Sequence, residues 1–310
     1  MQTNYSRSGR MSTKLIYDKI HQMRKLILID ANSIIHRCFH ALPPLSNSNA
    51  QPTGGLYGLS TVLLKILREQ KPDFIAGLFD RPEPTFRKQI FNEYKIHRPK
   101  APDELIYQII ESRNLFEAFG IKIFETPGFE ADDLIGTAVE KFKNEPDLKI
   151  TILTGDMDAL QLIEIGNIVV ETFKKGVSET MIYDAEAVRA KLGVLPEEVV
   201  DYKGLVGDKS DNIPGVPGIG PKTAVEIIKK YGSLENFLKK GKGEKAYPRI
   251  LSMEKQALMS KELAAIRRDA PMDLEKLDEL SFKEMARQKI IAYFEKMEFK
   301  SLATRMNSLF

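Results

Sequence analysis

The chain has no tryptophan, four histidines and a single cysteine, Cys38, among its 310 residues. One thiol excludes an intramolecular disulfide framework and any cysteine-cluster zinc site; it fits a reducing compartment, with Cys38 expected in the core. An excess of one charge is also missing, since 46 Lys and Arg against 43 Asp and Glu leave only +3. The total therefore gives no argument for a nucleic-acid partner, and the distribution of charge must decide. No apolar run reaches the length of a membrane span and nothing resembles a secretory signal, so no membrane role is expected. What is present, 43% hydrophobic and 29% charged residues, describes an ordinary soluble globular chain, long enough for one large domain or two unequal ones.

Residues 1 to 23 are polar and without periodicity, and they read as a disordered leader or as the product of an upstream start, since Met23-Arg24-Lys25 could itself begin the protein. A targeting role for this Ser-, Thr- and Arg-bearing stretch is the weaker reading, and a cytoplasmic location is expected. Leu26-Ile27-Leu28-Ile29-Asp30 then forms a short apolar run ending in an acid, as suits a strand buried on both faces of a parallel sheet. After a Pro-, Ser- and Asn-rich loop from Pro43 to Gly55, the spacing of Leu56, Leu59, Val62, Leu63, Ile66 and Leu67 predicts an amphipathic helix. Phe74 to Asp80 repeats the pattern of apolar strand and terminal acid. A helix is expected from about Asp103 to Phe119, stopped by Gly120, and a strand from Ile121 to Glu125.

Glu130, Asp132 and Asp133 crowd the start of the next helix, after the turn pair Pro127-Gly128. Carboxylates are ordinary at a helix N-terminus, where they cap free N–H groups and suit the dipole. The strand from Leu148 to Thr154, however, also runs into acids, Asp156 and Asp158, and two further strands are expected at Asn167 to Phe173 and Ser178 to Tyr183. Alternating strands and helices imply right-handed βαβ units and a mostly parallel sheet, whose sites form beyond the carboxyl ends of its strands. Asp30, Asp80, the Glu130 cluster and the Asp156 pair should therefore converge. Two carboxylates about 5 Å apart repel by roughly 3 kcal/mol at an effective dielectric near 20. Several together need cations among them, and hard oxygen ligands without His or Cys point to magnesium or manganese and away from zinc.

Two other stretches carry positive charge in a pattern. Residues 81 to 102 hold Arg81, Arg87, Lys88, Lys95, Arg98 and Lys100 with Phe86, Phe91 and Tyr94 between them. Cations alternating with rings describe a solvated loop, or a surface that grips phosphates and stacks on unpaired bases. Farther on, Asp208 and Asp211 are spaced to face one site, and the tract Gly215-Val216-Pro217-Gly218-Ile219-Gly220-Pro221-Lys222-Thr223-Ala224 reads as a hairpin between two helices. Its glycines permit close approach of backbone to a partner, and the helix beginning near Pro221 offers N–H groups and Lys222 to an anion. Binding of that kind is blind to base sequence. From Gly232 onward the chain reads as helical and charged, with Lys239, Lys240, Lys242 and Lys245 in a local basic run and an amphipathic helix from Ser281 to Phe294, segments expected to pack around the hairpin and extend its positive face.

These motifs in combination resemble the 5′ nuclease domain at the amino end of bacterial DNA polymerase I, a relative of bacteriophage 5′ nucleases and flap endonucleases. The resemblance runs from about Leu26 to the end. It is carried by Leu-Ile-Asp at 28–30, Phe-Asp at 79–80, Tyr-Lys-Ile-His-Arg at 94–98, Glu-Ala-Asp-Asp at 130–133, Asp-Met-Asp at 156–158, Gly-Asp-Lys-Ser-Asp-Asn at 207–212 and the helix-hairpin-helix at 215–224. It implies a PIN-like α/β nuclease domain at 24–184, with a mostly parallel sheet flanked by helices and an arch or clamp near 81–102. A helical DNA-binding region at 185–310 would carry the helix-hairpin-helix near 201–231.

The resemblance also assigns roles. One divalent ion, Mg2+ or Mn2+, is expected near Asp30, Asp80, Glu130, Asp132 and Asp133, and a second near Asp156, Asp158, Asp208 and Asp211, with Asp156 between the two. Tyr94, Lys95 and Arg98 would act from the clamp. Arg87 and the hairpin residues Gly215, Gly218, Gly220, Lys222 and Thr223 would hold DNA, with K+ in the hairpin loop. The implied activity is two-metal hydrolysis of duplexes bearing a 5′ flap or 5′ single-stranded end, and of RNA primers paired to DNA, by a monomer working with a polymerase in replication and repair. The competing readings are a non-catalytic duplex-binding protein and a metal-dependent ribonuclease or phosphatase on a similar sheet.

Overall fold

Strand-end acids and buried alternation lay out the sheet. The computed structural model describes residues 23 to 309 other than Ile165, Ser178 and Glu284. The reading of residues 1 to 23 as a leader lies outside these residues, Met23 excepted. Strands β1 (Arg24–Asp30), β2 (Phe74–Leu78), β3 (Lys122–Phe124), β4 (Leu148–Leu153), β5 (Ile168–Lys175) and β6 (Glu179–Tyr183) form one sheet in the order β3-β2-β1-β4-β5-β6. Every pairing is parallel except that of β6, which closes its edge antiparallel to β5. The chain builds β1, β2 and β3 to one side and then returns to add β4 on the other side of β1. The strand order thus reverses beside β1, where open sheets of this kind place their sites.

In chain order the helices are α1 (Ala31–Ala41), α2 (Gly54–Glu69), α3 (Phe86–Ile90), α4 (Asp103–Phe119), α5 (Ala131–Phe142), α6 (Ala185–Leu192), α7 (Val199–Val206), α8 (Pro221–Tyr231) and α9 (Leu234–Lys240). They are followed by α10 (Tyr247–Ser252), α11 (Glu254–Ala264), α12 (Arg287–Lys296) and α13 (Lys300–Leu309). Alternate residues of β1 feed two cores. Leu26 and Leu28 join Ala138 of α5 and a core that continues into α7 and α8, whereas Ile27 and Ile29 join Leu63 of α2 and Phe116 of α4. Burial on both faces is what the unbroken apolar run required.

Three local differences from the sequence reading have physical causes. The sequence reading assigned no element between Asp30 and Pro43, where the structure has helix α1; Asp30 caps it, accepting from the Ser33 N–H at 2.9 Å, so strand passes into helix without a loop. The predicted helix from Ser281 begins only at Arg287. Ser281 forms a bridge with Phe74 and the Phe282 N–H donates to Asp73 at 2.8 Å, so this backbone is taken by the sheet. Finally, α12 and α13 do not gather round the hairpin: Ile290, Phe294, Leu302 and Met306 pack into the core with α2 and α4.

Candidate metal centre and nucleic-acid interface

The strand ends converge. Asp30, Asp80, Glu130, Asp132 and Asp156 line one cavity of about 520 Å3, with Lys95 and Arg98 on its wall. Asp30 is 5% exposed. One of its oxygens accepts from the Ser33 N–H at 2.9 Å and the other from the Thr154 hydroxyl at 2.7 Å. Burial, and then the neighbouring Asp80, push its carboxyl up to about 7. Asp80 is raised by burial first, although it accepts the Ala131 N–H at 2.7 Å. Asp132 is raised well above the ordinary range, by burial and then by Asp156, Asp30 and Asp158. Its Oδ1 is buried and has no hydrogen-bond partner.

An orphaned acceptor among carboxyls that each disfavour the others' charge has the chemistry that suits a hard divalent cation. Among the described residues no three acidic or histidine side chains already stand as a metal-binding group. Uncompensated carboxylates repel, so closing them onto one point requires the cation itself.

Other predicted ligands are claimed by protein cations. Asp133 is fully buried and takes two 2.8 Å bonds from the Arg87 guanidinium, and its oxygens also accept from the Glu130 and Arg267 N–H groups. Arg87 is 3% exposed and donates as well to the carbonyls of Leu263 and Ala265. The structure therefore removes Asp133 from the metal set and Arg87 from the DNA-binding set, because the two neutralise each other in the interior. Arg87→Ala is expected to lower unfolding free energy by about 3 to 5 kcal/mol, as breaking a buried pair does. Urea denaturation checks this, and a loss under 1 kcal/mol would refute it.

The segment expected to act as a clamp contributes Lys95, Arg98 and Pro99 to the wall of the pocket. Its helical part is α3, and residues 92 to 97 form turns. The Tyr94 hydroxyl donates to Asp211 at 2.9 Å, Arg98 donates to the other Asp211 oxygen at 2.6 Å, and the Lys95 ammonium lies 2.9 Å from Glu130 and 3.7 Å from Asp211. Tyr94 is 3% exposed, and its hydroxyl lies between Asp211 at 2.9 Å and the cavity-lining Glu130 at 3.2 Å, so it positions acids of the site. Asp208 looks elsewhere. Lys203 of α7 lies 2.6 Å from Asp208 and also contacts Asp158. Burial pushes the Asp158 carboxyl up to about 7, with Asp156 adding to it against the opposing pull of Lys203. Asp208 and Asp211 thus serve different partners, although their spacing suggested a shared one. Lys203 was missed in the sequence; its one signal was a lysine in the helix leading into an acidic loop.

Helices α7 and α8 flank the predicted hairpin. Gly215 is buried, and a methyl group there would meet the Gly207 nitrogen at 2.3 Å. Its missing side chain lets two strands of the turn touch, and it offers no surface to DNA. Gly218, Gly220 and Lys222 are exposed and Thr223 is half-buried. Gly220 caps α8, whose first residue is a proline.

A family model described as the N-terminal resolvase-like domain of 5′-3′ exonuclease matches residues 25–193, and one described as the C-terminal SAM fold of 5′-3′ exonuclease matches residues 194–288. The chain belongs to the 5′-3′ exonuclease family. Among its relatives, DNA polymerase I of Bacillus caldotenax is 42% identical over 92% of this chain, but the match spans only 32% of that polymerase. The 5′-3′ exonuclease of Aquifex aeolicus is 37% identical over 93% of this chain and 97% of its own length. A bacteriophage T5 flap endonuclease, solved as a pseudo-enzyme-product complex with DNA and metal ions, shares the fold with a TM-score of 0.65 at 18% identity, covering 92% of this chain and 99% of that one. Family membership accounts for the sheet with its helical appendage. The pairings of Arg87, Lys203 and Arg98 described above come from the packing of this chain.

Proposed function

We propose that this 5′-3′ exonuclease family member hydrolyses phosphodiester bonds at 5′ ends and 5′ flaps of duplex DNA, and of RNA primers paired to DNA, with divalent metal. The single observation that carries the reading is the convergence of five acids on one cavity, with the buried Oδ1 of Asp132 left without a partner. Asp30, Asp80, Glu130 and Asp132 would hold one ion and Asp156, Asp158, Asp208 and Asp211 a second, Mg2+ or Mn2+. When bound, such ions acidify water and offset charge on the leaving oxygen.

The chain's own residues supply the rest. Lys95 and Arg98, on the cavity wall, orient the scissile phosphate and offset its growing negative charge. Gly218, Gly220, Lys222 and Thr223 hold the duplex by its backbone, with K+ a candidate in that loop, so that the form of the substrate and not its sequence selects the bond. The metal ions and DNA of the bacteriophage T5 enzyme support this use of the shared fold. The DNA polymerase I relatives favour a polymerase as partner, and we assign the protein to the cytoplasm as a monomer acting in replication and repair.

The test is Mg2+-dependent cleavage of a 5′-flap duplex by the parent protein and by Asp156→Ala. A loss of about a thousandfold is expected, the scale of several kcal/mol of metal-assisted stabilisation. A parent protein that binds the duplex and never cuts it would return the protein to the duplex-binding class. Turnover of a small phosphomonoester as fast as the flap would make it a phosphatase.

A further inference from the structure

Arg249 of α10 lies on the hairpin although 32 positions separate it from Pro217, whose carbonyl accepts from its Nη1 at 3.0 Å. Gly218 sits beside it at φ +85, and a methyl group on that glycine would come within 2.4 Å of the same nitrogen. The bare backbone thus lets the guanidinium lie against the turn. Arg249 remains exposed. Arg249 lines a groove of about 550 Å3 between α8 and α10, shared with Thr223, Lys230 and Lys245. Glu226 and Glu244 also line that groove, but Glu244 is engaged by Lys230 at 2.6 Å and by the Tyr231 hydroxyl at 2.8 Å.

A planar guanidinium held by one N–H keeps donors in a fixed fork that matches a phosphate oxygen pair. We propose that Arg249 is a distant part of the duplex grip: one N–H fixes the Pro217–Gly218 turn, and the remainder of the guanidinium takes a backbone phosphate of the duplex held at Lys222. This rests on the reading of the hairpin as a phosphodiester-binding element. It adds a side chain from outside the hairpin motif and assigns the groove as part of the duplex footprint.

The test measures the affinity of the full chain for a labelled 5′-flap duplex without divalent metal, across a KCl series. Arg249→Ala is expected to weaken binding about tenfold near physiological salt and to lower the slope of log affinity against log salt by about one contact. Arg249→Gln keeps a donor for the Pro217 carbonyl but no charge, so it should lose the same slope at an unchanged Tm, whereas Arg249→Lys should keep the slope. If Lys222→Ala loses a contact while Arg249→Ala changes neither affinity nor slope, the assignment of Arg249 fails and the hairpin reading stands. If neither variant changes binding, the hairpin reading fails with it. If Arg249→Ala weakens binding only with a lowered Tm, and Arg249→Gln binds like the parent, Arg249 merely braces the turn and the proposal is overturned.

Discussion

Asp132→Asn is expected to stabilise the metal-free protein while removing at least a hundredfold of its cleavage. Ordinarily a core substitution costs stability, but Asp132 is a carboxyl raised far above its usual range by burial and by Asp156, Asp30 and Asp158. Its Oδ1 has no donor. An asparagine has the same outline without the charge, and relief of one poorly solvated acid is on the order of 1 to 3 kcal/mol. For a chain of this length that is a rise of a few degrees in Tm. Added Mg2+ should reverse the comparison. A ligand that binds only the folded state raises Tm with its concentration, and the parent protein should gain more than the variant. Thermal unfolding with and without Mg2+, beside flap cleavage, reads both halves. Equal Mg2+ increments in the two proteins, together with equal cleavage, would show that Asp132 faces no cation.

Lys95→Ala should lower the single-turnover cleavage rate by about a hundredfold to a thousandfold, the cost of removing a donor aimed at developing charge. Duplex affinity should stay within about threefold. Two observations motivate the split. The ammonium lies in the acid cavity, 2.9 Å from Glu130. The residues assigned to the duplex, Lys222 and its neighbours, belong to another element. Lys95→Arg keeps the charge and is expected to recover part of the rate, which a merely structural loss would not allow. Single-turnover kinetics beside equilibrium binding checks the prediction. Comparable losses of rate and affinity would place Lys95 in the duplex grip.

Much of the architecture was legible because its signals are local. An apolar run ending at Asp30 needs no distant information to be read as a strand, and Pro102, Asp103 and Gly120 bracket α4 by capping chemistry alone, with Gly120 at φ +73. Where local chemistry pointed two ways, the reading failed. Asn32 and Ser33 can make a turn or the first turn of a helix, and the cap supplied by Asp30 decides for the helix. Ser281 and Phe282 stand at the start of a helical pattern but lie beside the start of β2, which takes their backbone into the sheet.

The sequence by itself determined that acids end the strands, that a parallel sheet would bring those ends together, and that a glycine-rich hairpin leads into the helix that carries Lys222. These follow from period, capping and chain direction, which act over a few residues. Only the tertiary structure decided which protein cation each acid meets. Asp133 meets Arg87, Asp158 meets Lys203 and Asp211 meets Arg98, across separations of 46, 45 and 113 positions. A carboxylate's role depends on which charge lies within a few ångströms of it, and at such separations in the chain only the packing of helices against the sheet sets that distance.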